Sequence, residues 1–158
     1  MLFRSNRQLP GNLTYHQPHT GLEGKFSMEF CLASILVVRR AGLAEFTDEF
    51  VNRPDVQAAI AKIDYTCYSD EEAAANKYPL LTTFIEVVLK DGRRFSGRAD
   101  YARGSPPQMM TFDEVADKLR GGADFARWDN AKTEAIVATV RELENLKRFS
   151  ELAALLRK

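Results

Sequence analysis

From Ser27 to Val38 the chain is apolar at nearly every position. Phe30, Cys31, Ser34, Ile35 and Val38 recur at helical spacing, with Leu32, Ala33, Leu36 and Val37 between them. This predicts a helix N-capped by Ser27, covered on nearly all sides, with Arg39 and Arg40 at its C-terminal end and a stop at Gly42. Residues 1–24 are polar and irregular. Pro10, Gly11, Pro18, Gly21 and Gly24 break any period, and only residues 13–15 suggest a short strand. Beyond the apolar helix, Thr47 opens one short turn to Val51, and Pro54 starts a second short helix that packs through Val56, Ala59, Ile60 and Ile63. The period then changes to two over residues 63–68, which predicts a strand. Residues 69–79, acidic and alanine-rich, predict an exposed excursion.

Residues 81–90 and 93–101 are two strand-like runs joined at Asp91-Gly92. That dipeptide predicts a hairpin with a primed turn, because glycine tolerates positive φ. Thr111 and Glu114 form a capping-box pattern that opens a helix through Leu119, with Gly121-Gly122 as its stop. One helix then spans residues 130–146 with the stripe Ile136, Val140, Leu143 and Leu146, and another spans 150–156. The predicted class is α+β: a small antiparallel sheet with an Asp-Gly hairpin packed by a buried helix, followed by C-terminal helices. The division is residues 1–24 as an N-terminal loop segment, 25–110 as the α+β domain and 111–158 as the helices.

The 158 residues carry 22 Lys+Arg and 22 Asp+Glu, so the formal net charge is zero. That balance argues against nucleic acid as a main partner, since such binders carry a basic excess. The longest apolar run, residues 31–38, falls far short of the ~20 residues that span a bilayer, and no export signal is evident. Cys31 and Cys67 fit no metal or CxxC spacing and read as reduced thiols of a cytoplasmic protein.

Candidate chemistry concentrates in residues 15–27, where His16, His19, Thr20, Lys25 and Ser27 share a loop that feeds the buried helix. The loop suits either anion binding, with Lys25 as a point charge, or a structured connector with solvated side chains. His16 and His19 would give a metal two ligands with no third nearby. Ser27 beside either histidine imitates a nucleophile and base, yet a helix cap explains it better. The group Asp70, Glu71, Glu72 reads as a solvated face, and Arg93, Arg94, Arg98 and Arg103 as a solubilising stripe.

The run Pro18-x-Thr20-Gly21-Leu22-Glu23-Gly24-Lys25-Phe26-Ser27-Met28-Glu29-Phe30 resembles the segment P-x-T-G-x-E-x-K-F-S-x-x-Y of the MmgE/PrpD family. That family includes 2-methylcitrate dehydratases, cis-aconitate decarboxylases and iminodisuccinate epimerases. Phe46-Thr47-Asp48 before Arg53-Pro54-Asp55-Val56 fits the family's next helices. Asp91-Gly92-Arg93 and Gly104-Ser105-Pro106 before Thr111-Phe112-Asp113-Glu114 fit its hairpin and its exit to the last helices. The resemblance covers about residues 13–119, with a looser helical tail.

The resemblance implies a smaller α+β lid that faces a large helical domain across the active-site cleft. It implies di- and tricarboxylic acid substrates, reaction at carbon next to a carboxylate, and no iron–sulfur cluster, metal or organic cofactor. The chain looks like the lid plus returning helices, without most of the helical domain, and so inactive alone. Lys25 matches the motif lysine and is expected to pair with a substrate carboxylate. Thr20, His19 and Ser27 are expected to bind substrate or fix the loop. Phe30 stands where many members have tyrosine; without a hydroxyl it is expected to shape the pocket. Residues 1–12 do not resemble the strand that precedes the loop in complete members. The expected partners are a helical domain or subunit of the same family and further copies of the chain. An alternative is a non-catalytic module that pairs with a separate helical subunit or with itself.

Overall fold

The computed structural model describes residues 1–157, which form two compact units, the first of residues 1–108 and the second from Met109 onward. The first opens with a strand, β1 (Leu2–Ser5), and a single turn, α1 (Leu9–Asn12). A second turn, α2 (Gly21–Gly24), leads to the apolar helix α3 (Met28–Val38), whose Ser27 cap is as predicted. α4 (Asp48–Val51) and α5 (Pro54–Ile60) follow where Thr47 and Pro54 placed them. Next come β2 (Asp64–Cys67), α6 (Asp70–Asn76) and the hairpin strands β3 (Thr83–Val88) and β4 (Arg94–Ala99).

The α+β class stands, with a four-stranded sheet in the order β2-β1-β3-β4. β1 is parallel to β2, in register Phe3 to Tyr65, and antiparallel to β3, in register Phe3 to Ile85. β3 and β4 are antiparallel with Ile85 opposite Gly97. A parallel pair needs a long crossover, here residues 6–63, and the helices of that crossover contain the core. Phe30 and Ala33 of α3 meet Val51, Val56, Ile60 and Ile63, and α3 packs most closely on α5.

Several expectations need correction. Residues 1–24 are not an irregular segment: β1 is an inner strand, with Phe3 and Ser5 buried and Leu2 and Arg4 half-buried. Four residues are too few to show a period, and their strand is fixed by pairing to distant partners on both sides. α3 stops at Arg39, which takes the left-handed conformation at φ 65° and donates its N–H to Ile35 O at 3.0 Å. Gly42 instead donates its N–H to Glu45 Oε2 at 2.8 Å. The helix is also open on one side, since Ile35 and Leu36 are exposed.

The acidic stretch forms α6. Its first-turn acids suit the positive end of the helix dipole, Ser69 caps it, and Glu72 takes both hydrogen bonds from Arg4 Nη2 at 2.8 Å. The Asp-Gly turn is a three-residue loop. Gly92 N–H donates to Leu89 O, Leu89 N–H donates to Arg93 O, and Gly92 alone has positive φ, at 86°. A turn followed by a left-handed glycine bulge twists the strands as a primed turn would. Along the arginine stripe, Arg93 pairs with Asp91, Arg94 with Glu86 and Arg98 with Asp100.

In the second unit α7 (Phe112–Phe125) opens on the predicted capping box. α8 (Asn130–Arg141) starts at an Asp129 cap and ends before Leu143, and α9 (Phe149–Leu155) closes the chain. Ala116, Ala123, Ile136, Val137 and Leu152 are buried, and Arg120 joins α7 to α8 through Glu134 at 2.6 and 2.8 Å. Of the expected stripe, Val140 and Leu143 are exposed. No helix among the described residues is long and apolar enough to cross a membrane.

Gly121 and Gly122 do not stop α7. A Cβ added to either meets nothing within 4 Å, and neither has positive φ. Gly121→Ala therefore raises stability to urea by about 0.5–1 kcal/mol, as expected inside a helix. A loss of stability would mean that the helix ends there after all.

Candidate functional site

The loop of residues 15–27 is fixed from within and from without. Tyr15 N–H donates to Phe26 O at 3.1 Å and so stitches the chain entering the loop to the chain leaving it. Thr20 Oγ1 accepts from Glu23 N–H at 3.2 Å. Glu23 Oε2 accepts in return from the N–H groups of Thr20 and His19, which completes a capping box on α2. From α4 and its cap, Asp48 Oδ1 accepts Gly21 N–H at 2.7 Å and Asn52 Nδ2 donates to His19 O at 2.6 Å. From α5, Gln57 Nε2 donates to Pro18 O at 3.1 Å. The backbone of Phe46 lies so near that a Cβ on Gly21 would sit 2.3 Å from its carbonyl oxygen.

This scaffold separates the five expected site residues. Ser27 is fully buried and its Oγ accepts Phe30 N–H at 3.1 Å, so its hydroxyl caps α3 and does not pair with a histidine. Phe30 is 0% exposed, with the Phe46 and Phe50 rings 5.5 and 6.1 Å away; its ring belongs to the core and not to a surface. Thr20 is half-buried and is used by its own cap. His19 and Lys25 face solvent, and Lys25 Nζ has no hydrogen bond or ion pair among the described residues.

One pairing was not among the expectations: that of the loop residue His16 with Glu29 of α3. His16 Nδ1 lies 2.6 Å from Glu29 Oε1, where the imidazole side chain is 61% exposed and the carboxylate side chain 6%. Glu29 sits in the first turn of α3, where the dipole favours an acid. The Tyr65 ring meets His16 edge-on at 6.1 Å, and its hydroxyl shares a 2.8 Å hydrogen bond with Ser5 Oγ. Burial pushes the Tyr65 hydroxyl above its ordinary range, Glu29 and Cys67 add to that, and the Ser5 hydrogen bond opposes it; the phenol therefore stays protonated. An acid in the first turn of an otherwise apolar helix was the available signal for Glu29. Burial likewise raises the Cys31 thiol and keeps it a neutral, partly buried side chain. No group of three or more His, Cys, Asp or Glu side chains among the described residues could hold a metal ion.

Fold and loop define an α+β domain that presents histidine and lysine side chains from an anchored segment. The family model described as the MmgE/PrpD C-terminal domain matches residues 7–144, and the chain belongs to that family. It is similar to the cis-aconitate decarboxylase of Homo sapiens, 26% identical over 136 residues that cover 85% of this chain and 27% of that protein. It is also similar to the cis-aconitate decarboxylase of Mus musculus, 24% identical over 140 residues, 89% of this chain and 28% of that protein. The chain thus spans little more than a quarter of these curated relatives.

The contact at Gly21 predicts a steric cost. Gly21→Ala must push the loop away from the Phe46 carbonyl, and it lowers stability in urea unfolding by about 1–3 kcal/mol. Unchanged stability would show that the loop is not seated there.

Proposed function

We propose that this chain is the lid portion of a lyase or isomerase that acts on di- or tricarboxylic acids, of which cis-aconitate is the first to test. Family membership sets the class, and one observation supports this loop as the point of contact. Lys25 carries an ammonium without a partner among the described residues, on a segment whose backbone is held at Pro18, His19 and Gly21. The backbone below this charge is already ordered, so meeting a carboxylate requires only the lysine side chain itself to be fixed. His19 adds a second exposed polar side chain on the same loop.

In this reading Lys25 holds a substrate carboxylate, and its charge offsets the negative charge that builds when a proton leaves the neighbouring carbon, or that stands there until a proton joins it. Thr20, Ser27 and Phe30 act from within the fold: two cap helices, and the third anchors α3 in the core. The reaction needs no organic cofactor or metal. The opposing wall of the cleft comes from a helical portion outside this chain, so the chain alone does not turn over, and the complete assembly works in the cytoplasm as an oligomer. Phe125, Phe149 and Met109 of the second unit are exposed apolar side chains of the kind that such a helical body would cover.

The test supplies the helical portion of a family member as a separate chain and follows cis-aconitate and 2-methylcitrate by NMR. The mixture is expected to be active and each part inactive. Lys25→Ala is expected to raise KM about 10-fold or more, the scale of one charged hydrogen bond. If the mixture leaves every di- and tricarboxylate unchanged, the proposal fails.

A further inference from the structure

Two glutamates are buried in the first unit, and they differ in one respect. Glu45 uses both oxygens: Oε1 accepts from Arg40 Nε at 2.6 Å and Oε2 from Gly42 N–H at 2.8 Å. Glu29 uses one. Its Oε1 meets His16 Nδ1, and its Oε2 is buried without a hydrogen-bond partner among the described residues. A buried carboxylate with half its acceptor capacity unused is costly, and an apolar side chain of similar length would fit the same place without that cost. The helix dipole favours an acid at this first-turn position, but it does not require the carboxylate to be buried with one oxygen unpaired. What it does achieve is to fix the imidazole.

A carboxylate only accepts hydrogen bonds, so the Nδ1 of His16 carries the proton in this pair. That assigns the remaining lone pair to Nε2, on a ring whose side chain is 61% exposed. The edge contact with Tyr65 at 6.1 Å supports one side of the ring. The Tyr15–Phe26 hydrogen bond brings the chain at His16 alongside the chain at Lys25. The loop thus carries a lysine suited to an acid group and, beside it, an imidazole of fixed tautomer.

We propose that His16 is the proton-transfer residue that this chain contributes to the cleft, with Glu29 as its positioning residue. The role rests on the polycarboxylate reading above. In the abstracting direction Nε2 takes the proton from the carbon beside the carboxylate, and the C–H electron pair passes into the adjacent carboxyl group. In the returning direction, after a C–C bond breaks and carbon dioxide leaves, the electron pair stays on carbon and the Nε2–H bond delivers its proton there. The Nδ1–H bond to Glu29 is kept throughout.

The pair is tested first in the chain by itself. Long-range proton–nitrogen correlation of the labelled chain is expected to show the neutral His16 ring with its proton on Nδ1. Glu29→Met is expected to leave the melting temperature unchanged or higher, yet to let the proton populate Nε2. A wild-type ring with its proton on Nε2 overturns the pairing. In the mixture with the helical portion, H16A is expected to lower kcat at least about 100-fold with little change in KM, and added imidazole to restore part of it. E29M is expected to lower kcat while the protein stays folded. Should E29M fail to fold, imidazole rescue of H16A still decides the matter. An active mixture in which H16A keeps full kcat overturns the role of His16 and leaves the polycarboxylate reading intact. A wild-type mixture without turnover overturns that reading and the catalytic role with it.

Discussion

The chain around Gly21 can lie against Phe46 only because that residue lacks a Cβ, which would meet the Phe46 carbonyl oxygen at 2.3 Å. This approach lets Asp48 take the Gly21 N–H, and Asn52 and Gln57 reach the carbonyls on either side of it. A loop rich in breakers would otherwise lose free energy to its own mobility. Here three side chains, from α4, its cap and α5, hold its backbone, and those elements are set in turn by the core of Phe30, Val51, Val56 and Ile60. Core packing, loop geometry and the placing of Lys25 are therefore one chain of dependence.

Electrostatics follow the same economy. Several charges pair at the surface, as Arg94 does with Glu86 and Arg120 with Glu134, and such exposed pairs contribute little to stability. The zero net charge averages over these pairs and conceals two groups that differ from them. Lys25 is exposed without a counter-ion among the described residues, and Glu29 is buried with a single partner. Both lie on the segment that carries the family motif, at either side of the Ser27 cap.

Much of this was legible in the residues because it depends on local rules. The Ser27 and Thr47 caps, Pro54 at a helix start, the Asp-Gly hairpin and the Thr111 capping box all appear where short-range chemistry put them. Thr20-x-x-Glu23 carries the same capping-box pattern, and its proximity to two glycines obscured it. What the pattern could not show depends on distant partners. β1 is a strand only between β2 and β3. α6 is tied down by Arg4 from another part of the chain. Glycine signals misled in both directions, since Gly42 follows the true end of α3 and Gly121 lies within α7. The candidate site divides along the same line: Lys25 is proposed on the motif alone, whereas the pairing of His16 with Glu29 is visible only once α3 is docked.

The central claim is that the loop of residues 15–27 receives a carboxylate of the substrate. The most direct measurement is a titration of the nitrogen-labelled chain with cis-aconitate, read residue by residue by NMR. Saturable shifts concentrated at His16, His19 and Lys25 are expected, and they are lost in Lys25→Ala. Shifts confined to the arginines of the hairpin, or spread evenly over the surface, would contradict it.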